Sequence, residues 1–233
     1  MYKRILIKLS GEALGNDENV FAADVMDSLA KQIKSIVNKG TAVSIVVGGG
    51  NLARGKAFEK VGFDRVDADF IGMLGTTMNA MVLSAALRKN GLDAVAMSAT
   101  TVEGVEDVDI HRANDLLDKK AVVVFGGGIG NPYFTTDTAC ALRSIETHSE
   151  IVFMAKNGTD GVYTADPNKD PNAKRFDEIT FDDILKLNLQ VIDQTAASLM
   201  RDNGINAFVF DMLAKDNIKK AVNGKAVGTI IKA

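Results

Sequence analysis

Short apolar runs alternate with longer amphipathic segments along the whole chain. Runs such as Ala121–Phe125 are typical of strands that are buried on both faces. Between such runs, apolar residues recur at helical spacing, as at Val25, Leu29 and Ile33, and a second, unusually apolar segment extends from Val66 to Arg88. This alternation predicts an α/β fold with a largely parallel sheet and helices on both faces. The predicted strands are Lys3–Leu9, Ala42–Val47, Asp93–Met97, Ala121–Phe125, Ile151–Met154, Ala207–Phe210 and Val227–Lys232.

Composition and charge narrow the class of protein. The 233 residues are 46% hydrophobic and 24% charged, which is typical of a soluble globular chain, and we expect a single domain over residues 1–233. The net charge of −3 argues against nucleic-acid binding, which requires a basic surface. The longest apolar stretch, Ala80–Leu87, is too short to span a bilayer, and the N-terminal segment lacks a signal-peptide core. One cysteine, Cys140, fits a protein of the reducing cytoplasm.

Three predicted strands end in turns that contain glycine. Lys8 lies near the end of the first strand and is followed by Ser10-Gly11, while Gly48–Asn51 follows the second strand and Gly126–Gly128 the fourth. The carboxyl ends of parallel strands meet at one edge of the sheet, where open α/β folds bind ligands. Glycine there lets backbone N–H groups approach phosphate oxygens closely. The sequence therefore predicts a protein that handles phosphates.

Two basic residues lie next to these turns. Lys8 either meets a phosphate or leaves the sheet for solvent, and the sequence favours neither alternative. Arg54 would add a forked cation about one turn after Gly48–Asn51, with an ordinary surface arginine as the alternative. The window Gly50–Lys56 resembles a P-loop, but Ala57 stands where the Mg²⁺-binding hydroxyl is required. A P-loop is therefore rejected.

Two carboxylates are candidate site residues, each with a structural alternative. Asp69 begins the apolar pattern of the second helical segment, where it could accept hydrogen bonds from sugar hydroxyls. Asp137 follows Thr135-Thr136 at a predicted helix start, where an acid is also expected because it complements the helix dipole. The Met-rich and Ala-rich stretch Gly72–Leu87 is either a dimer interface or a buried helix.

A loop with two Asp-Pro pairs follows the fifth predicted strand. Tyr163 and the preceding segment Lys156–Gly158 are candidates for holding a flat base. The spacing that starts at Asp166 imitates an EF-hand, but Pro171 replaces the required glycine. No metal site formed by the protein itself is expected.

With these residues in place, the chain resembles the bacterial uridylate kinases of the amino acid kinase superfamily. Four segments carry the resemblance in the family's order: Lys8–Leu14, Val47–Gly55, Gly130–Asp137 and Asp160–Pro167. The third, Gly-Asn-Pro-Tyr-Phe-Thr-Thr-Asp, is the most specific for kinases that act on UMP. The resemblance implies a three-layer αβα sandwich, phosphoryl transfer from MgATP to UMP, and a role in pyrimidine nucleotide biosynthesis. It also implies a cytoplasmic homo-oligomer, typically a hexamer, with allosteric regulation that includes inhibition by UTP.

The resemblance also assigns roles by position. It implies that Asp69 binds the UMP ribose and that Asp193 lies near the nucleotide. The ATP-binding residues that it implies are Lys8, Leu9, Ser10, Gly11, Gly50, Arg54, Asn157, Tyr163 and Asp166. The UMP-binding residues that it implies are Gly49, Asp69, Ile129, Gly130, Asn131, Pro132, Tyr133, Phe134, Thr135 and Thr136.

The chemistry of this reaction agrees with the residues present. A phosphate monoester has a second pKa of about 6, so UMP is a nucleophilic dianion near neutral pH and needs no general base. The reaction needs charge neutralisation and in-line positioning, which Lys8, Arg54, glycine-loop amides and the Mg²⁺ bound with ATP would supply. Asp137 completes the catalytic set as an organiser of Lys8 or of Mg²⁺ rather than as a base.

Two other functions are alternatives. The first is another kinase of the superfamily with a carboxylate or carbamate acceptor, against which the Gly130–Thr136 segment argues. The second is a non-catalytic oxyanion-storage protein, against which the combination of Lys8, Arg54 and Asp137 argues. Likeness of fold alone does not separate these functions.

Overall fold

The computed structural model describes residues 2–52, 61–165, 167 and 169–233. The predicted site residues Arg54 and Asp166 lie outside the described residues. The helices are α1 Ala23–Val37, α2 Arg65–Lys89, α3 Ile110–Asp118, α4 Thr136–Glu146, α5 Phe181–Lys186, α6 Gln194–Asp202 and α7 Asn217–Val222, with a 3-10 turn at Gly11–Leu14. The strands are β1 Arg4–Leu9, β2 Ala42–Val47, β3 Ala94–Ser98, β4 Glu106–Asp107, β5 Val122–Gly126, β6 Ile151–Lys156, β7 Val162–Tyr163, β8 Arg175–Phe176, β9 Glu178–Thr180, β10 Asn206–Asp211 and β11 Gly228–Lys232.

Within the described residues, nine strands form one largely parallel sheet in the order β4-β3-β5-β2-β1-β6-β10-β11-β9, while β7 and β8 pair separately. The pairing of β10 with β11 is antiparallel, whereas the other neighbours in the large sheet run parallel. The predicted α/β fold and all seven predicted strands are confirmed. The short strands β4, β7, β8 and β9 were not predicted, because two or three residues carry no readable periodicity.

The two faces of the sheet carry separate hydrophobic cores. One core packs against α1, α2 and α7, and the other against α3, α4, α5 and α6. Side chains alternate between these faces along β1: Ile5, Ile7 and Leu9 belong to the first core, and Leu6 belongs to the second. Lys8 shares the face of Leu6 and is therefore directed toward α4. Its strand lies in the middle of the sheet, in register with Val46 of β2 and Met154 of β6.

The longest described helix is α2, with 25 residues. The side chain of Asp64 caps its start by accepting a hydrogen bond from the N–H of Val66 at 2.8 Å. The run Ala80–Leu87 is too short to span a bilayer, but by length and composition alone the whole helix is long and apolar enough. Since 56% of its most apolar window is buried inside the protein, α2 has the surroundings of a core helix.

Candidate active site

A buried ion pair lies at the carboxyl edge of the sheet. Lys8 Nζ is 2.9 Å from Asp137 Oδ1, and the two side chains are only 13% and 15% exposed. Asp137 occupies the first turn of α4, where Thr135 Oγ1 accepts hydrogen bonds from the N–H groups of Asp137 at 3.0 Å and Thr138 at 3.4 Å. Of the two threonines at the predicted helix start, Thr135 is therefore the cap. Lys8 does not leave the sheet for solvent.

Each member of this ion pair shifts the pKa of the other toward its charged form. Burial by itself would lower the pKa of Lys8, but the neighbouring Asp137 outweighs it, and the pKa is raised above 10.5. Burial would likewise raise the pKa of Asp137, but Lys8 and then Lys156 lower it below 3.8. Both groups are therefore charged at neutral pH. Lys156 differs, because burial and the nearby charge of Lys8 together lower its pKa despite Asp137.

Asp193 joins the starts of two helices beside this pair. Its carboxylate caps α6 by accepting from the N–H of Ala196 at 2.8 Å. It also accepts hydrogen bonds from the hydroxyls of Thr135 and Thr138 in and before α4, the latter at 3.1 Å. Asp193 therefore helps to hold the first turn of α4, and with it Asp137, against α6.

A cavity of about 330 Å³ opens between α2 and two glycine turns, and we call it the glycine-loop cavity. Asp69 lies on its wall and accepts a hydrogen bond from the N–H of Tyr133 at 2.7 Å. The cavity gathers predicted site residues from three separate segments of the sequence. Its lining residues are Gly49, Gly50, Arg65, Ala68, Asp69, Gly72, Met73, Thr76, Gly128, Asn131, Phe134, Thr135 and Thr136.

Four predicted UMP-binding residues do not line this cavity, namely Ile129, Gly130, Pro132 and Tyr133. Ile129 packs against the hydrophobic core instead. Gly130 adopts φ +83°, a left-handed conformation that favours glycine. The backbone N–H of Tyr133 donates to Asp69, while the centroid of its exposed ring lies 5.2 Å from the Arg65 guanidinium. These residues shape the loop around the cavity.

A second cavity of about 460 Å³ lies beyond β6, and we call it the Tyr163 cavity. Lys156 lines it and donates from Nζ to the carbonyl of Val191 at 2.7 Å. Tyr163 is held by a 2.6 Å hydrogen bond from its hydroxyl to Asp160. Asn157 is exposed and is not among the lining residues. The lining residues are Lys156, Thr159, Gly161, Val162, Tyr163, Ala165, Pro167, Lys169, Asn188, Leu189, Gln190 and Val191.

The turns after β1 and β2 are packed too closely for side chains. A Cβ on Gly11 would lie 2.0 Å from Asn51 Oδ1, and one on Gly49 would lie 2.9 Å from the carbonyl of Gly72. Leu9 is fully buried, and the buried hydroxyl of Ser10 has no hydrogen-bond partner among the described residues. A buried polar atom without a partner is costly, so Ser10 Oγ is suited to meet a ligand.

The apolar pattern of α2 did not reveal that polar residues of this helix hold the glycine turns. Thr76 Oγ1 accepts a hydrogen bond from the N–H of Gly127 at 2.7 Å. Asn79 Nδ2 donates to the carbonyl of Gly48 at 2.7 Å. Polar residues at buried positions of an apolar helix were the available signal.

A largely parallel sheet with glycine turns and a buried Lys–Asp pair at its carboxyl edge fits an α/β kinase, in which phosphates bind at that edge. The sequence profile of the amino acid kinase family matches residues 3–211, and the chain belongs to this family.

Three solved structures are similar over nearly the whole chain. A UMP kinase from Bacillus anthracis is 40% identical with a TM-score of 0.95, and the match covers 99% of this chain and 96% of the other. A UMP kinase from Ureaplasma parvum is 38% identical with a TM-score of 0.94 and full coverage of both chains. A uridylate kinase from Archaeoglobus fulgidus is 31% identical with a TM-score of 0.76, covering 97% and 99%.

Proposed function

We propose that this chain is a UMP kinase that transfers the terminal phosphoryl group of MgATP to UMP, giving ADP and UDP. The observation that carries this proposal is the Lys8–Asp137 ion pair, which lies at the same edge of the sheet as the glycine turns. The full-length similarity to UMP kinases at 40% and 38% identity supports the same acceptor. A kinase that makes UDP takes part in pyrimidine nucleotide biosynthesis.

Each cavity receives one substrate in this proposal. UMP occupies the glycine-loop cavity, where Asp69 accepts hydrogen bonds from its ribose and Thr135 and Thr136 face its base or phosphate. ATP places its adenosine in the Tyr163 cavity and its phosphates along Lys8–Gly11 and Gly50. The buried Ser10 hydroxyl, which has no hydrogen-bond partner in the part of the chain that the structure describes, supports that path. The roles of Arg54, Asn157 and Asp166 stay as the resemblance implies them.

Catalysis in this proposal is electrostatic. The ammonium group of Lys8 remains charged because Asp137 raises its pKa, so it can neutralise charge on the transferring phosphoryl group. Asp137 acts by holding Lys8 at 2.9 Å. The acceptor phosphate of UMP is the nucleophile, and neither His111 nor His148 lines the two cavities. No proton needs to be removed by the protein.

Mg²⁺ enters this scheme with ATP. Among the described residues, no three His, Cys, Asp or Glu side chains form a group that could hold a metal ion. Carboxylates nearby include Asp137, already paired with Lys8, Asp193, already engaged by hydroxyls and a backbone N–H, and Glu12, which lies against Gly50. These residues fit a metal held chiefly by nucleotide phosphates, with Asp137 as one carboxylate at that edge. Mg²⁺ would neutralise phosphate charge there.

We also propose a cytoplasmic homo-oligomer, with a hexamer as the expected form. Support comes from an exposed apolar stripe on α2, in which Phe70, Leu74, Met78 and Met81 recur at helical spacing. Inhibition by UTP is expected because UTP carries the same base as the acceptor. Light scattering and UTP titration of the purified protein would test these two points.

The experiment that tests the function is an acceptor panel. ADP formation from MgATP would be measured with UMP, CMP, dTMP, AMP, GMP, glutamate, aspartate and carbamate. Activity confined to UMP supports the proposal. Activity with an amino acid or carbamate would keep the family and overturn the acceptor, and well-folded protein that phosphorylates none of them would favour an oxyanion-binding role.

A further inference from the structure

Asn79 is a fully buried polar residue in the middle of α2. Its Nδ2 donates to the carbonyl of Gly48 and to Asn51 Oδ1, both at 2.7 Å. Its Oδ1 accepts from Asn51 Nδ2 at 3.2 Å. Every hydrogen-bonding hydrogen of the Asn79 amide is thus directed at the turn that follows β2.

The paired amides also meet the turn that follows β1. A Cβ on Gly11 would lie 2.0 Å from Asn51 Oδ1 and 2.9 Å from Asn79 Nδ2, so the backbone of that turn packs directly on them. The N–H of Gly48 in turn donates to the carbonyl of Leu9 at 2.9 Å. One buried side chain therefore connects α2 to both strand ends that carry the candidate phosphate-binding backbone.

We propose that Asn79 is a positioning residue for phosphoryl transfer, which fixes the backbone of the Gly48–Asn51 turn where the phosphates bind. This inference rests on the proposed kinase function. An amide buried on an apolar helix is unfavourable unless its hydrogen bonds are all made, and a complete set holds one loop geometry. A shift of about 1 Å at such a loop costs on the order of 100-fold in rate.

The test compares Asn79→Asp with Asn51→Asp. Both changes preserve shape and add one carboxyl group, and the two positions are hydrogen-bonded neighbours. Asn51→Asp keeps both donors of Asn79, including the bond to Gly48, whereas Asn79→Asp removes both. We expect Asn79→Asp to lower kcat about 100-fold and Asn51→Asp to lower it about 10-fold or less, measured on protein shown to be folded by circular dichroism.

A pH series, with circular dichroism recorded at each pH, separates positioning from loss of folded protein. The carboxyl introduced at position 79 would face the oxygens of Gly48 and Asn51, which raises its pKa. Its protonated form can again donate one hydrogen bond. The ratio of kcat for Asn79→Asp to kcat for the wild type should therefore rise as the pH is lowered from about 8 to about 6.

Two further variants keep the inference falsifiable if Asn79→Asp does not fold. Asn79→Ser retains a single hydroxyl donor and should also lose about 100-fold in kcat. Ser84→Ala removes a buried hydroxyl of the same helix, which donates to the carbonyl of Met81 at 3.0 Å, and should leave kcat unchanged. Equal kcat losses in the variants of positions 79 and 51, or a fully active Asn79→Ser, would overturn the inference. A wild-type protein inactive with UMP would overturn the proposed function, and this inference with it.

Discussion

The two ends of β1 each carry a basic residue, yet their surroundings differ. At the amino end, Arg4 donates to the carbonyl of Thr147 at 2.7 Å, to Asp118 at 2.5 Å and to the side chain of Asn114. At the carboxyl end, Lys8 pairs with Asp137, and the nearby buried hydroxyl of Ser10 has no hydrogen-bond partner within the described ranges. Arg4 is engaged by fixed protein acceptors, whereas the edge around Lys8 retains polar groups for a ligand.

The comparison shows that a cavity and a basic side chain do not by themselves make a site. A cavity of about 400 Å³ borders Arg4 at the amino end, and its lining includes both basic residues, Lys3 and Lys120, and acidic ones, Asp118 and Glu150. The carboxyl end differs because it carries the glycine turns and the start of α4, and phosphates bind at such elements in α/β folds. We therefore expect changes at Lys8 to affect the reaction and changes at Arg4 to affect stability.

The largest effect is expected from Lys8→Met. Loss of one charged contact to the transferring phosphoryl group typically costs about 100- to 1000-fold in kcat. The far-UV circular dichroism should be unchanged, because methionine is an unbranched side chain of about the same length as lysine. Steady-state kinetics with saturating ATP and UMP would measure it, and an unchanged kcat would remove Lys8 from the catalytic set.

Arg4→Met is the matched substitution at the other end of the same strand. It leaves the carbonyl of Thr147 and the side chain of Asn114 without their donor. We expect the free energy of unfolding to fall by about 2 kcal/mol, since unsatisfied buried acceptors are costly, while kcat stays at the wild-type value. Urea unfolding and the same kinetic assay would check this. A large loss of kcat without loss of stability would contradict the comparison.

Asp69→Asn tests the proposed UMP site in the glycine-loop cavity. Replacing the carboxylate weakens hydrogen bonds from a ribose, so the KM for UMP should rise about 10-fold and that for ATP less than about 2-fold. Asp67→Asn is the control, because it makes the same change of charge at an exposed position of α2. Equal rises in both KM values would place Asp69 outside the acceptor site.

The smallest effect is expected from pH. Asp137 keeps its charge above its lowered pKa and loses it only as the pH falls below 3.8, while Lys8 keeps its charge until the pH rises through its raised pKa above 10.5. At saturating substrates, kcat should therefore be nearly flat from about pH 6.5 to about pH 9. If kcat does change within this range and the change disappears in Lys156→Gln, the titrating group is Lys156, whose pKa is lowered.

Local patterns in the sequence identified most of the fold and part of the site. Apolar runs in the sequence predicted buried strands such as β2 and β5, and consecutive glycines predicted the turns after them. A threonine cap at Thr135 or Thr136 was recognisable because helix capping depends on neighbouring residues alone, and the structure identifies Thr135 as the cap. The expectation that Lys8 and Asp137 both reach the carboxyl edge follows from the parallel topology.

The pairings across the fold were not predictable in the same way. Asn79 and Gly48 are 31 residues apart, and periodicity indicates that Asn79 is helical without indicating what its amide contacts. The resemblance implies that Asp193 lies near the nucleotide, but it does not indicate that its carboxylate accepts hydrogen bonds from the hydroxyls before and within α4. Such contacts depend on how α2 and α6 pack on the sheet.

The sequence by itself determined the α/β alternation, the glycine turns and the residue types suited to phosphates, because these follow from local periodicity and backbone freedom. Only the tertiary structure decided that Lys8 pairs with Asp137, that Asp69 and Thr136 share a cavity, and that Asn79 holds the Gly48 turn. Those outcomes depend on side chains from distant segments meeting within hydrogen-bond distance, which packing of the whole sheet brings about.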